Sequence, residues 1–281
     1  MTDPKPVPEG QYVDVGDGLS VHYHTAGDGY PVVFLHGSGP GASGWSNFRR
    51  NYPQFAAAGL RAIVPDTLGF GYSSKPENTD FGMDFVLGAL RRFLDALGIE
   101  RCAVVGNSHG GALAISLALA DPARVSKLIL MAPGGLEERE TYMKMAGIRA
   151  MMRSVFTKEG TLRELTRESL RPVFELQLYD QSLVTEELLD ERVSIARLQP
   201  PRVFTTLAVP HLAPRLGELK CPIFALWGMD DQFCPATGAV TIARSCKQAR
   251  VLMLTECGHW VMVERATLFN KLCIDFLKET A

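Results

Sequence analysis

Short apolar runs recur along the chain, each closed by a turn rich in glycine or proline, with longer amphipathic stretches between them. Pro31–Leu35, Arg101–Val105, Lys127–Met131 and Pro222–Trp227 read as buried strands, and Leu60–Val64 and Ala249–Leu254 as further strands. From Asp84 to Leu97 the apolar positions Val86, Leu87, Leu90, Phe93, Leu94 and Leu97 repeat at helical spacing, and Gly98 ends the run. Strands alternating with helices predict an α/β fold, a largely parallel sheet covered on both faces. The alternation breaks at Gly134 and resumes near Cys221. The expected organisation is therefore a first core segment (1–133), an inserted helical lid (134–218) and a second core segment (219–281). Methionines cluster in the lid at 143, 145, 151 and 152, as an adaptable wall for a ligand or as plain packing. The proline-rich start, Pro4 to Pro8, reads as a loose arm, and no internal repeat is visible.

Chemistry concentrates where one strand ends. Gly106-Asn107-Ser108-His109-Gly110 fits G-x-S-x-G, after an apolar run and before the small, helix-prone Gly111–Leu119. A strand-to-helix turn this tight lifts a serine hydroxyl into a cleft above the sheet, beside a helix N-terminus. Ser108 is thus the expected nucleophile. It needs a base and an acid that orients the base. Both are expected later in the chain, at strand C-terminal ends. The turn after Trp227 carries Asp230 and Asp231; the G-x-x-D-x-x-x-P spacing from Gly228 to Pro235 favours Asp231, with Asp230 left to shape the turn. Of the six histidines, only His259 has the expected chain order and strand-end position. His22 and His24 alternate with Tyr23 and suggest strand surface, whereas His36 belongs to a backbone-shaping loop and His211 to a proline-rich connection.

The oxyanion hole requires preorganised N–H donors. The loop His36-Gly37-Ser38-Gly39-Pro40-Gly41 after the first buried strand offers the Ser38 amide, and the elbow offers that of His109. Thr185–Ala196 reads as a helix capped by Thr185 with acids in its first turn. Its Arg192 shares a face with Leu188 and Ala196, and no acid stands three or four residues away to pair with it. A snorkelling arginine is the plain reading and an anion clamp the functional one.

With 281 residues, the chain can bury a core without disulfides or metals. A net charge of −2 gives no basic field for nucleic acid. The six cysteines form no C-x-x-C pair; Cys102 and Cys273 fall in apolar patterns and are expected as buried thiols. No apolar leader core and no unbroken run of 18 apolar residues is present, so no membrane association is expected and a cytoplasmic setting is the default.

Several motifs together carry a resemblance: HGSGPG with Trp45-Ser46-Asn47, GNSHGG, Met131-Ala132-Pro133-Gly134-Gly135, Tyr179-Asp180-Gln181-Ser182, WGMDD and CGHW. From about Val13 to Leu277 the chain resembles the meta-cleavage-product hydrolases. These are α/β-hydrolases that break a carbon–carbon bond in ring-fission products of aromatic catabolism. The resemblance implies Ser108 as nucleophile, His259 as base, Asp231 as acid, and Ser38 and His109 as backbone donors. It assigns Asn47, Asn107, Arg192 and Trp260 to the 2-hydroxydienoate end of the substrate, and Phe233 and Cys234 to the pocket of the departing acyl group. It also implies a small-molecule dienoate substrate, no cofactor, and assembly as a homo-oligomer. His109 departs from the pattern, because the family more often has Met, Leu or Phe there.

A carboxylesterase of the same fold would share the triad without needing Asn47, Asn107, Arg192 and Trp260. A non-catalytic ligand-binding member is the remaining alternative. Ser108 itself excludes an aspartate-nucleophile dehalogenase. The group at C6 of the substrate is not legible in the sequence.

Overall fold

The computed structural model describes residues 9–279; the Pro4 to Pro8 arm lies outside them. The strands are β1 (Gln11–Asp14), β2 (Ser20–Ala26), β3 (Tyr30–Leu35), β4 (Leu60–Pro65), β5 (Cys102–Asn107), β6 (Val125–Met131), β7 (Ile223–Gly228) and β8 (Ala249–Leu254). They form one sheet in the order β1-β2-β4-β3-β5-β6-β7-β8. β1 and β2 join antiparallel, and β4 through β8 run parallel. Each predicted run is therefore a strand. For β3 to β7 the near-continuous apolarity follows from burial on both faces; β8, at the sheet edge, is half-buried to exposed throughout. In β5, for instance, Cys102 and Val104 pack into the core on one side, and Ala103 and Val105 into the core on the other.

Helices α1 (Gly44–Phe48), α2 (Tyr52–Ala57), α3 (Met83–Ala96) and α4 (His109–Ala120) belong to the first half. Between β6 and β7 come α5 (Arg139–Lys144), α6 (Ala146–Val155), α7 (Arg167–Gln177), α8 (Glu186–Ala196) and α9 (Pro201–Thr206). After β7 follow α10 (Thr237–Ser245), α11 (Val261–Glu264) and α12 (Ala266–Lys278). α3 starts and stops one residue earlier than predicted. α8 is capped as expected, the Thr185 hydroxyl accepting from the Leu188 amide.

The chain direction of the sheet reverses beside β3, which sits between β4 and β5. Loops leaving the C-terminal ends of strands on either side of such a point part and leave a crevice. Here those are the loops after β3 and after β5.

One expectation needs correction. His22 and His24 are not on open strand surface; both are buried. His22 Nδ1 is 2.8 Å from Asp66 Oδ2, and the His24 ring lies among those of His22, Trp45 and Tyr52. The alternation with Tyr23 correctly marks two faces, but aromatic side chains cover both. Of the lid methionines, Met143 and Met152 are exposed and Met151 faces a cavity.

Candidate active site

Between β5 and α4 the backbone turns so sharply that Ser108 takes φ 56° and ψ −116°, a conformation L-residues adopt rarely. The surroundings hold it there. The Ser108 amide donates to Met131 O at 2.9 Å, and its carbonyl accepts from Ala112 and Gly134 at 3.0 Å each. Two glycines make the turn fit. A Cβ on Gly106 would stand 2.4 Å from Gly110 O, and one on Gly110 would stand 2.1 Å from Leu35 O. Such strain is stored where a side chain must be presented rather than packed.

His259 reaches the same edge from the loop after β8. Its Nδ1 donates to Asp231 Oδ2 at 2.7 Å. The other carboxylate oxygen of Asp231 accepts from the Phe233 and Cys234 amides, at 2.7 and 2.9 Å. Asp231, not Asp230, is therefore the partner; the Asp230 amide donates to Cys257 O in the loop after β8. The Phe233 ring stacks on the imidazole with centroids 5.1 Å apart. With Nδ1–H fixed on a carboxylate, Nε2 is left to accept a proton.

Ser108 and His259 line one cavity, yet no hydrogen bond joins Ser108 Oγ to the imidazole. Burial pushes the pKa of the neighbouring Cys234 thiol well up, an effect the nearby Ser108 hydroxyl opposes. The expected acid–base pair is hydrogen-bonded, and Ser108 lines the same cavity as His259.

The amides of Ser38 and His109 have no acceptor among the described residues. The loop that carries Ser38 is braced from beneath. His36 Nδ1 donates to Gly37 O at 2.6 Å, and its Nε2 accepts from the Thr67 amide at 2.9 Å. Burial lowers the His36 pKa, which keeps the ring in this neutral tautomer. The loop is also clasped from above. Gly41 packs so closely that an added Cβ would stand 2.1 Å from Arg192 O, and its amide donates to Gln199 Oε1 at 2.7 Å.

The first cavity, about 500 Å³, is bounded by Ser38, Asn47, Asn107, Ser108, Arg192, His259 and Trp260 among others. Arg192 is 1% exposed and has no ion-pair partner among the described residues. Its neighbour Glu191 pairs with Arg49 instead. The guanidinium touches Asn47 Oδ1 at 3.2 Å and lies over the Trp260 and Phe174 rings, while its Nε has no partner. Burial pushes its pKa down to about 9, so it remains a cation at neutral pH. Asn47 Nδ2 reaches Asn107 Oδ1 at 3.4 Å, which links the cation to the elbow. An unneutralised buried charge is costly, and proteins keep one where a ligand supplies the counter-ion.

A second chamber, about 1340 Å³ and open to solvent, meets the first at Ser38, Ser108, Ile148 and Met151. His109, Tyr142, Val209 and Cys234 line it. All the predicted site residues thus converge on the two chambers, with Asp231 directly behind His259. Sequence reasoning missed Gln177, whose carbonyl accepts from the His259 amide at 2.9 Å and which lines the first cavity. It also missed Glu264, whose carboxylate accepts from the amides of Gly258, Tyr179 and Asp180 and so ties the histidine loop to the segment after α7. Neither role has a local signal, since one uses a main-chain oxygen and the other a tertiary contact. Among the described residues no group of three or more candidate ligands for a metal ion occurs, and no helix is long and apolar enough to cross a membrane.

The alpha/beta hydrolase fold family matches residues 30–266, which fixes the class. The chain is 38% identical over 275 residues to a 2-hydroxy-6-oxo-6-phenylhexa-2,4-dienoate hydrolase of Comamonas testosteroni, covering 95% of this chain and 93% of the relative. It is also 38% identical to a 2-hydroxy-6-oxononadienedioate/2-hydroxy-6-oxononatrienedioate hydrolase of Paraburkholderia phymatum, covering 95% of each. A solved meta-cleavage product hydrolase from Pseudomonas fluorescens superposes with a TM-score of 0.82 at 30% identity, over 95% of this chain and 97% of that one. The chain belongs to the meta-cleavage-product hydrolases of the α/β-hydrolase family.

Proposed function

We propose that the protein hydrolyses the C5–C6 bond of a 2-hydroxy-6-oxohexa-2,4-dienoate-type acid from aromatic catabolism. The products are 2-hydroxypenta-2,4-dienoate, or a substituted analogue, and a carboxylic acid. The observation that carries this reading is Arg192, a buried cation without a carboxylate, in the same cavity as Ser108. An ester hydrolase has no use for it. A dienoate brings a carboxylate to pair with Arg192, and its 2-oxygen falls among Asn47, Asn107 and Trp260.

The chemistry follows from that placement. The dienol becomes its 2-keto tautomer, the proton arriving at C5. The Ser108 hydroxyl gives up its proton to His259 Nε2 and bonds to C6. The Ser38 and His109 amides hold the developing oxyanion; one such donor is worth about 10²–10³ in turnover. When C5–C6 breaks, its electron pair runs through C4 and C3 to the 2-oxygen, where Arg192 stabilises the dienolate. The imidazolium passes its proton to the departing dienolate, and the neutral His259 ring then takes a proton from water, which attacks the acyl carbon and releases it from Ser108 as a carboxylic acid. Asp231 orients the imidazole throughout. In this reading residues 134–218 act as the lid, and the enzyme works in the cytoplasm as a homo-oligomer, a state that light scattering measures directly.

The test is turnover of a ring-fission dienoate, followed by loss of its yellow dienolate absorbance, against turnover of an aryl acetate. A kcat/KM larger by about 10² or more for the dienoate is expected. Preference for the acetate would reassign the protein as a carboxylesterase.

A further inference from the structure

Resting on that function, we propose that the His109 side chain is a specificity-determining residue: it hydrogen-bonds an uncharged oxygen, a ketone or hydroxyl, on a cyclic C6 substituent held in the second chamber.

Three observations lead there. First, His109 lines this chamber and not the first, Arg192 lines the first and not this one, and Ser108 lines both. A substrate whose carboxylate meets Arg192 and whose C6 meets Ser108 must send its substituent past His109. Second, the residue is 3% exposed, and its Nε2 is buried without a hydrogen-bond partner. A buried polar atom left unpaired is unfavourable unless a ligand or water completes it. A Met or Leu here would give the elbow the same packing without that cost. Third, the chamber has room, at more than twice the volume of the first.

The charge around the ring narrows the ligand. Burial and the nearby His36 push the His109 pKa down to about 4, so at neutral pH it offers one N–H and one lone pair but no charge. Glu137 and Glu138 also line the chamber; Glu138 stands 3.2 Å from His211, and Glu137 accepts from Thr237 Oγ1. Against them stands the exposed Arg139. A carboxylate tail would meet two like charges and a neutral ring, whereas a ketone or hydroxyl finds a matching donor.

The experiment uses matched dienoates bearing cyclohexyl, 3-oxocyclohexyl or 4-oxocyclohexyl at C6, with wild type, His109→Leu and His109→Gln. The quantity read is the ratio of kcat/KM between an oxo substrate and plain cyclohexyl, so any general change at the oxyanion hole cancels. In wild type the better oxo substrate is expected to lead by about tenfold or more. The ratio should fall to about one in His109→Leu and be partly kept in His109→Gln. An unchanged ratio in His109→Leu, or a wild type that prefers plain cyclohexyl, overturns the proposal. If His109→Leu does not fold, the wild-type ratio and its decline in His109→Gln decide, and no decline overturns it. If wild type turns over none of the dienoates, the proposed function falls first and this inference with it.

Discussion

The guanidinium of Arg192 lies over the indole of Trp260, 4.7 Å from the ring centroid, with Phe174 at 5.4 Å. Aromatic faces and the Asn47 amide oxygen hold this cation, and no carboxylate among the described residues neutralises it. Its position is fixed before any ligand arrives, so an incoming acid loses little in ordering it.

Arg192→Met keeps the stem's packing and removes the charge. Turnover of dienoates should drop by about 10² or more, while hydrolysis of an aryl acetate changes less than about fivefold. The melting temperature should stay level or rise, since the charge has no partner to lose. Steady-state kinetics on both substrates, with a thermal melt, check this; equal losses would remove the clamp.

Ser108→Gly should abolish turnover, by about 10³-fold or more. It should also stabilise the protein by about 1 kcal/mol, because glycine adopts φ 56° without strain. Denaturant titration reads the second effect. A destabilised variant would mean that the elbow stores no strain.

Asp231→Asn leaves an oxygen for the Phe233 and Cys234 amides and turns an NH₂ toward His259. That pins the wrong imidazole tautomer, and kcat should fall by about 10⁴ with little loss of stability. Turnover and a thermal melt on the same sample test both halves.

Acid should weaken the fold between pH 6.5 and 4. The folded state holds His109 down at about 4, and His36 and His24 are lowered in the same direction by burial. In that window the unfolded chain binds protons that the folded one refuses, so stability falls as pH falls and levels off below 4 for His109. For His109 alone the loss from pH 7 to 5 is about 2 kcal/mol. Urea titrations of wild type and His109→Gln at the two pH values should differ by about that amount.

β3, β5 and β6 were legible because a strand buried on both faces needs an apolar residue at every position. The elbow was legible because its glycines are imposed by backbone approach, and α8 because its cap and first-turn acids act locally. His22 and His24 were misread for a related reason: alternation reports that a strand has two faces, not what covers them. The catalytic side chains have chain-order signals, whereas Gln177 and Glu264 act through contacts that only folding creates.

The two chambers share only a narrow strip of wall at Ser38, Ser108, Ile148 and Met151. Under the proposed function, recognition of the dienoate half of a ring-fission product is thereby insulated from recognition of its C6 half. A lineage can retune one room for a new pollutant or natural ring system while the other keeps its anchor, and diversification then proceeds without repeated loss of the chemistry.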